Sequence, residues 1–181
     1  MIDLTSIGRG TSEFGYRSSD STKGVGSTNH KGIDIVLKND NIPAVTGGTV
    51  SASGWSDSMG YYVFINQSDG TTAKYMHMAS PPKVGVGQSI SEGQIIGIQG
   101  STGNSTGKHL HYQVQDSNGN AINPRTYMSG GYAPTITDSS SGGSSSAEPN
   151  LIGKIVSFVT VLAIFLLGVY IFFRAFDIKI I

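Results

Sequence analysis

Apolar residues in the first 128 positions fall into short clusters divided by glycine, proline, asparagine and aspartate. That pattern predicts strands. Ile33-Asp34-Ile35-Val36-Leu37 is apolar and β-branched, and Pro43-Ala44-Val45 leads through the Gly47-Gly48 turn into Thr49-Val50-Ser51-Ala52. Tyr61-Tyr62-Val63-Phe64-Ile65-Asn66 and the stretch from Thr71 to Met78 read as a hairpin about Ser68-Asp69-Gly70. Pro81-Pro82 ends the return strand, because proline cannot donate to the ladder. Gln94 to Ile98 and His109 to Gln115 complete the set, the latter followed by the Asn118-Gly119 turn. No window before residue 150 shows sustained helical periodicity. The first 30 residues, with glycines at 8, 10, 15, 24 and 26, read mostly as loop, with Phe14-Gly15-Tyr16-Arg17 able to pack. The expectation is an all-β domain over residues 1–128, an antiparallel β-sheet sandwich or barrel-like core.

The pattern then changes twice. Residues 129–150 contain Asp138-Ser139-Ser140-Ser141-Gly142-Gly143-Ser144-Ser145-Ser146, too polar to bury a core, and read as a flexible linker. Its r.m.s. reach would be roughly 25 Å. From Ile155 to Phe173 run 19 residues without a charge. About 20 such residues span a bilayer core, so one transmembrane α-helix is predicted over 151–174, with a short tail over 175–181. A buried core helix would need a second domain around it, and the rest of the sequence offers none. Lys154 flanks one end and Arg174 and Lys179 the other. The slight excess places the C-terminus on the cytoplasmic side and the β-domain across the membrane. At the N-terminus no charged stretch precedes an apolar one, so no signal peptide is visible.

Composition narrows the chemistry. Twelve basic side chains balance twelve acidic ones, which leaves no electrostatic footprint for nucleic acid or an acidic membrane surface. Cysteine is absent, so thiolate zinc sites, cysteine nucleophiles and disulfides are excluded. There are four histidines. His109 and His111 are two apart on a predicted strand and project to one face, with Leu110 and Tyr112 on the other. His30 and Asp34 lie four apart at the edge of an apolar strand, where even spacing lets both face the same way, and His77 lies at a strand end. Two histidines and an aspartate form a sound set for Zn²⁺, and three protein ligands leave a fourth position open, as in a catalytic site. The three glutamates, Glu13, Glu92 and Glu148, form no His-Glu-x-x-His helix. A general base beside a metal is therefore expected to be a histidine, whose usual pKa suits neutral operation.

These residues carry a resemblance. His30-x-x-x-Asp34, Tyr75-Met76-His77-Met78 and His109-Leu110-His111 resemble the three motifs of the lysostaphin/LytM-type zinc endopeptidases, which cleave peptidoglycan peptides. Phe14-Gly15-Tyr16-Arg17, Pro43 to Val50, Val84 to Gln88 and Glu92 to Gly97 resemble further family segments. Gly100-Ser101-Thr102-Gly103 followed by Gly107-Lys108-His109-Leu110-His111 is the most specific match. Together they cover about residues 10–128.

The resemblance implies that His30, Asp34 and His111 bind zinc and that His77 and His109 are catalytic without being ligands. One histidine, His109, would take a proton from the attacking water. His77 would hold the oxyanion or hand a proton to the leaving amine, and the sequence leaves those two roles open. Activity should fail as pH drops through about 6, because protonated imidazole cannot ligate metal. The implied partners are peptidoglycan stem peptides and cross-bridges, together with the lipid bilayer through residues 151–174.

The resulting expectation is a membrane-anchored peptidoglycan hydrolase whose catalytic domain faces the cell wall. One form is a bacteriophage enzyme in a virion or host membrane that opens the wall as the phage enters or leaves. Alternatives are a bacterial wall-remodelling enzyme and a non-catalytic structural or activator member. Trp55, Tyr61 and Tyr62 are expected in core or strand-pair packing, Asp57 and Asp69 in turns, and Asn104 beside the peptide. Tyr16 and Arg17 suit either substrate contact or a structural role.

Overall fold

A computed structural model of the chain describes residues 1–18 and 27–133. The expected transmembrane helix, the tail and all but the start of the linker lie outside those residues. Among the described residues no helix is long and apolar enough to cross a membrane.

The described chain is mostly antiparallel β, as its alternation predicts. Seven strands form the path of the main sheet, in the order β1 (Gly8–Ser12), β4 (Ile33–Leu37), β11 (Leu110–Gln115), β8 (Thr72–Met78), β7 (Gly60–Gln67), β6 (Gly48–Ser56) and β9 (Ser89–Ile90). An eighth, β12 (Ala121–Ile122), pairs with β11. Two ribbons stand beside the sheet, β2 (Gly15–Tyr16) with β3 (Asn29–His30), and β5 (Asn41–Pro43) with β10 (Ile95–Ile98). In β4 the burial alternates, with Ile33, Ile35 and Leu37 inward and Asp34 and Val36 partly exposed. Ile42 and Ile96 from the β5–β10 ribbon join Ile35, Ile65, Tyr75, Leu110 and Tyr112 in the core. The small ribbon thus adds to the core beside the main sheet.

Two short helices depart from the sequence reading. α1 (Leu4–Ile7) is capped by Asp3, whose carboxylate accepts the Thr5 N–H at 2.8 Å, and it buries Leu4. α2 (Pro124–Met128) has Asn123 at its cap, Pro124 in its first turn, and Tyr127 and Met128 buried. Four and five residues are too few to establish a 3.6-residue period, so only the caps signal them. The first 30 residues also hold more structure than a loop. Gly8 to Gly10 pair with Leu37 to Ile35, making β1 an edge strand without an apolar face of its own. Beyond α2, Tyr132 packs on the core, its ring 6.1 Å from that of Tyr127.

Two irregular features interrupt the sheet, and the first of them shapes the site. The first is a bulge in β8. Between the pairs Val63–Tyr75 and Tyr61–Met78, β7 has one residue and β8 has two, Met76 and His77. Tyr75 and Met78 both face the core, while Met76 opposes His111. Strict alternation would turn His77 to the side of Tyr75, into the apolar core. The extra residue prevents this, and His77 takes a left-handed backbone, φ 62°, with its N–H donated to the Met59 carbonyl at 2.8 Å. The second feature is Gln99, which is 1% exposed. Its amide accepts from Leu37 N–H and donates to the Leu37 carbonyl, both at 2.9 Å, and donates to Asp40 at 2.7 Å. It serves as a strand partner for Leu37 on the side of β4 where the pairing with β11 has ended.

Candidate metal centre and active site

Asp34 and His111 sit directly opposite each other on β4 and β11. Cross-strand partners share a face, and here the inward residues Leu110 and Tyr112 leave His111 on the outer one. His30 arrives from β3. Its Nε2 lies 3.1 Å from Asp34 Oδ1 and 3.0 Å from His111 Nδ1, and His111 Nδ1 lies 2.9 Å from the same carboxylate oxygen. Gly32 makes this approach feasible, since a Cβ there would lie 2.7 Å from His111 Nε2 and 2.5 Å from the Tyr112 carbonyl.

Hydrogen bonds fix which nitrogens are free. A carbonyl only accepts, so His30 Nδ1, 2.7 Å from the Glu13 carbonyl, carries a proton and Nε2 faces the triangle, where a bound metal would take its lone pair in place of the hydrogen bond to Asp34. Burial alone would raise the Asp34 carboxyl; hydrogen bonds from His111 and His30, and their charge, outweigh it and hold the group well below the usual carboxylate range. Its second oxygen lies 3.6 Å from Arg17 Nη1, and Arg17 in turn donates to Ser12 Oγ at 3.2 Å and to the Ser27 carbonyl at 2.7 Å.

His30, Asp34 and His111 are the metal-capable group among the described residues. Tetrahedral zinc with bonds of about 2.0–2.2 Å separates its ligand atoms by roughly 3.3 Å. The triangle matches that within a few tenths of an ångström. Three electron-rich atoms this close call for a shared cation, and two imidazoles with one carboxylate are a donor set that suits zinc.

His77 and His109 stand beside the triangle. Their ring centroids are 5.0 Å apart, and that of His77 is 6.0 Å from His111. Each has Nδ1 against a carbonyl, Thr102 at 2.8 Å for His77 and Gly107 at 2.7 Å for His109. Both therefore turn Nε2 away from those carbonyls, and His109 Nε2 lies 3.6 Å from Asp34 Oδ1. Burial pushes the His77 pKa down to about 4; the hydrogen bond to Thr102 opposes this, and the charges of His109 and His111 reinforce it. His77 is accordingly neutral at pH 7, with an accepting Nε2.

A cleft of about 410 Å³ opens over these groups, with Arg17, Lys31, Ser58, Asn104 and Thr106 in its walls. All five site residues named from the sequence border it, and so does Asn104. Arg17 lines the cleft and braces Asp34 as well, whereas Tyr16 is 86% exposed and lies outside it. Trp55 packs on Tyr61, ring centroids 4.8 Å apart, as a strand pair, but it is half exposed and belongs to neither core nor cleft. Asp69 is a turn carboxylate that accepts from Thr71 N–H at 3.0 Å. The carbonyls of Glu13, Thr102 and Gly107 are the functional groups that sequence reasoning missed. Main-chain acceptors leave no trace in residue identity.

The model of Peptidase family M23 matches residues 28–124, more than half of the chain and the whole span from His30 to His111. The chain belongs to peptidase family M23. Among M23 relatives it is 35% identical over 133 residues to glycyl-glycine endopeptidase ALE-1 of Staphylococcus capitis, covering 70% of this chain and 36% of that protein. It is 39% identical over 98 residues to the peptidoglycan DD-endopeptidase ShyC of Vibrio cholerae, covering 54% of this chain and 22% of that protein. The chain thus spans about a third of the first relative and about a fifth of the second. The solved catalytic domain of the prophage-encoded M23 protein EnpA from Enterococcus faecalis superposes with a TM-score of 0.57 at 34% identity, over 67% of this chain and 92% of that one.

Proposed function

We propose that the protein is a zinc-dependent endopeptidase that hydrolyses peptide cross-links of bacterial peptidoglycan. The observation that carries this reading is the convergence of five side chains from four strands and a loop end. Three form a triangle of donor atoms at 2.9–3.1 Å, and two imidazoles with anchored Nδ1 atoms flank it. The named activities of ALE-1 and ShyC support the substrate class.

His30, Asp34 and His111 would hold the metal. Zinc bound there supplies Lewis acidity, which acidifies a water and polarises the scissile carbonyl. His109, with Nε2 nearest the triangle, accepts the proton of the attacking water. His77 binds protons weakly because it is buried, so the proton that His109 takes from the water, passed to the His77 Nε2 across rings 5.0 Å apart, moves on readily to the leaving amine and returns both imidazoles to neutrality. Arg17 keeps the second Asp34 oxygen engaged, leaving Oδ1 for the metal.

The apolar segment 151–174 would tether the enzyme to a membrane through the Ser/Gly-rich linker, with the catalytic domain on the wall side. The prophage origin of EnpA supports a phage enzyme that opens the wall locally as the phage enters or leaves. The test is digestion of defined peptidoglycans by wild type and His111→Ala with zinc, the fragments read by mass spectrometry. Cross-links cut by wild type alone support the reading. Equal cutting by both, or none by zinc-loaded wild type, refutes it.

A further inference from the structure

We propose that Thr102 is the positioning residue for His77, an inference that rests on the endopeptidase reading of the same site. Thr102 acts on His77 from two sides. Its carbonyl accepts the His77 Nδ1–H at 2.8 Å. Its hydroxyl donates to the Met78 carbonyl at 2.6 Å and accepts the Tyr61 N–H at 3.1 Å. Tyr61 and Met78 are the cross-strand pair at one edge of the bulge that carries His77. The hydroxyl is thus inserted into the sheet one residue from His77, while the carbonyl of the same residue fixes which ring nitrogen is protonated. A left-handed histidine persists only where its surroundings over-determine it, and Thr102 supplies two of those constraints.

The loop leaves Thr102 little room to drift. Gly60, φ 63°, and Gly103, φ 72°, lie against each other. A Cβ on Gly60 would come within 2.1 Å of Thr102 Oγ1, and one on Gly103 within 2.2 Å of the Gly60 nitrogen. Asn104 N–H donates to the Ser58 carbonyl at 3.1 Å, and His109 N–H to the Gly100 carbonyl at 2.9 Å. The same loop ends at Gly107, whose carbonyl holds His109 Nδ1. One segment therefore sets the tautomer of both flanking imidazoles, and the threonine hydroxyl locks it to the sheet.

The full chain, zinc-loaded, is compared as wild type, Thr102→Val and Thr102→Ser. Thr102→Val is expected to lower kcat by about 10- to 100-fold, the usual effect of removing an outer support of an active site. KM and zinc affinity should stay within a few-fold. Thr102→Ser keeps the hydroxyl and is expected to restore kcat. Nitrogen-resolved imidazole spectra provide a readout independent of turnover: wild-type His77 is expected as the Nδ1–H tautomer with a coupling through the hydrogen bond to the Thr102 carbonyl, and Thr102→Val as a tautomer mixture. An Nε2–H tautomer in wild type overturns the proposal even if the valine variant does not fold. So does unchanged kcat in Thr102→Val, equal loss in both variants, or loss of zinc together with activity. Inactive wild type with the expected tautomer refutes the endopeptidase reading and upholds the orienting contact.

Discussion

Zinc should stabilise the fold through three side chains, and removing one should abolish the effect. The donor atoms of His30, Asp34 and His111 already stand 2.9–3.1 Å apart in the folded chain. In the unfolded chain His111 is 77 residues from Asp34, so no comparable site exists there. Ligand that binds only the folded state adds RT ln(1 + [L]/Kd), about 2.7 kcal/mol at a free concentration of 100 times Kd. For a domain of about 130 residues each kcal/mol moves Tm by roughly 3–5 °C, so the rise should be about 8–13 °C. Calorimetry or circular dichroism of metal-stripped protein with and without buffered zinc measures it at pH 7.5. His111→Ala should show no shift beyond a degree or two at the same free zinc. An equal shift in that variant, or none in wild type, would refute the assignment of the triangle.

Other expectations concern turnover and packing. His77→Ala should lower kcat by about 10²- to 10⁴-fold while zinc content, read by atomic absorption, stays at the wild-type level; loss of metal would make His77 a ligand instead. Gln99→Leu should destabilise by about 2–4 kcal/mol in urea unfolding, because the Leu37 N–H and carbonyl lose their partner in the core; a loss under 0.5 kcal/mol would dismiss its role as a surrogate strand. Burial raises the Asp69 carboxyl, but hydrogen bonds from Thr71 and Tyr127 outweigh it and hold the pKa below the ordinary value. Its contribution is thus complete above about pH 4 and is lost as pH falls through the depressed value. Asp69→Asn should therefore cost stability at pH 7 and much less at pH 2, and an equal cost at both would contradict this.

What could be read in advance depended on period and spacing. The alternation through Ile33-Asp34-Ile35 and Leu110-His111-Tyr112 places Asp34 and His111 outward with no structure in hand, and the fold pairs them directly. His77 was legible as a strand-end histidine but not in its direction, because that depends on one unmatched residue with a left-handed backbone. Strand β1, Gly8-Arg9-Gly10-Thr11-Ser12, has no apolar side chain to declare it; backbone pairing with β4 alone makes it a strand. α2 announces itself only through Asn123-Pro124. The orienting carbonyls of Glu13, Thr102 and Gly107 belong to the main chain, so no residue type marks them.

The left-handed backbone of His77 has a consequence for inhibition and complex studies. Holding a residue with a side chain at φ 62° costs of order 1 kcal/mol, and glycine is free of that cost. On the proposed mechanism, the chain keeps a proton-handling imidazole against the conformational preference of its own backbone. His77→Gly and His77→Ala both give up the hydrogen bond to the Thr102 carbonyl, but glycine escapes the backbone strain, so His77→Gly should be as inactive as His77→Ala and at least as heat-resistant, with the metal triangle intact. That makes the glycine variant the better trap for uncut substrate, and it marks position 77 as a place where the side chain the proposed reaction needs is one the backbone disfavours.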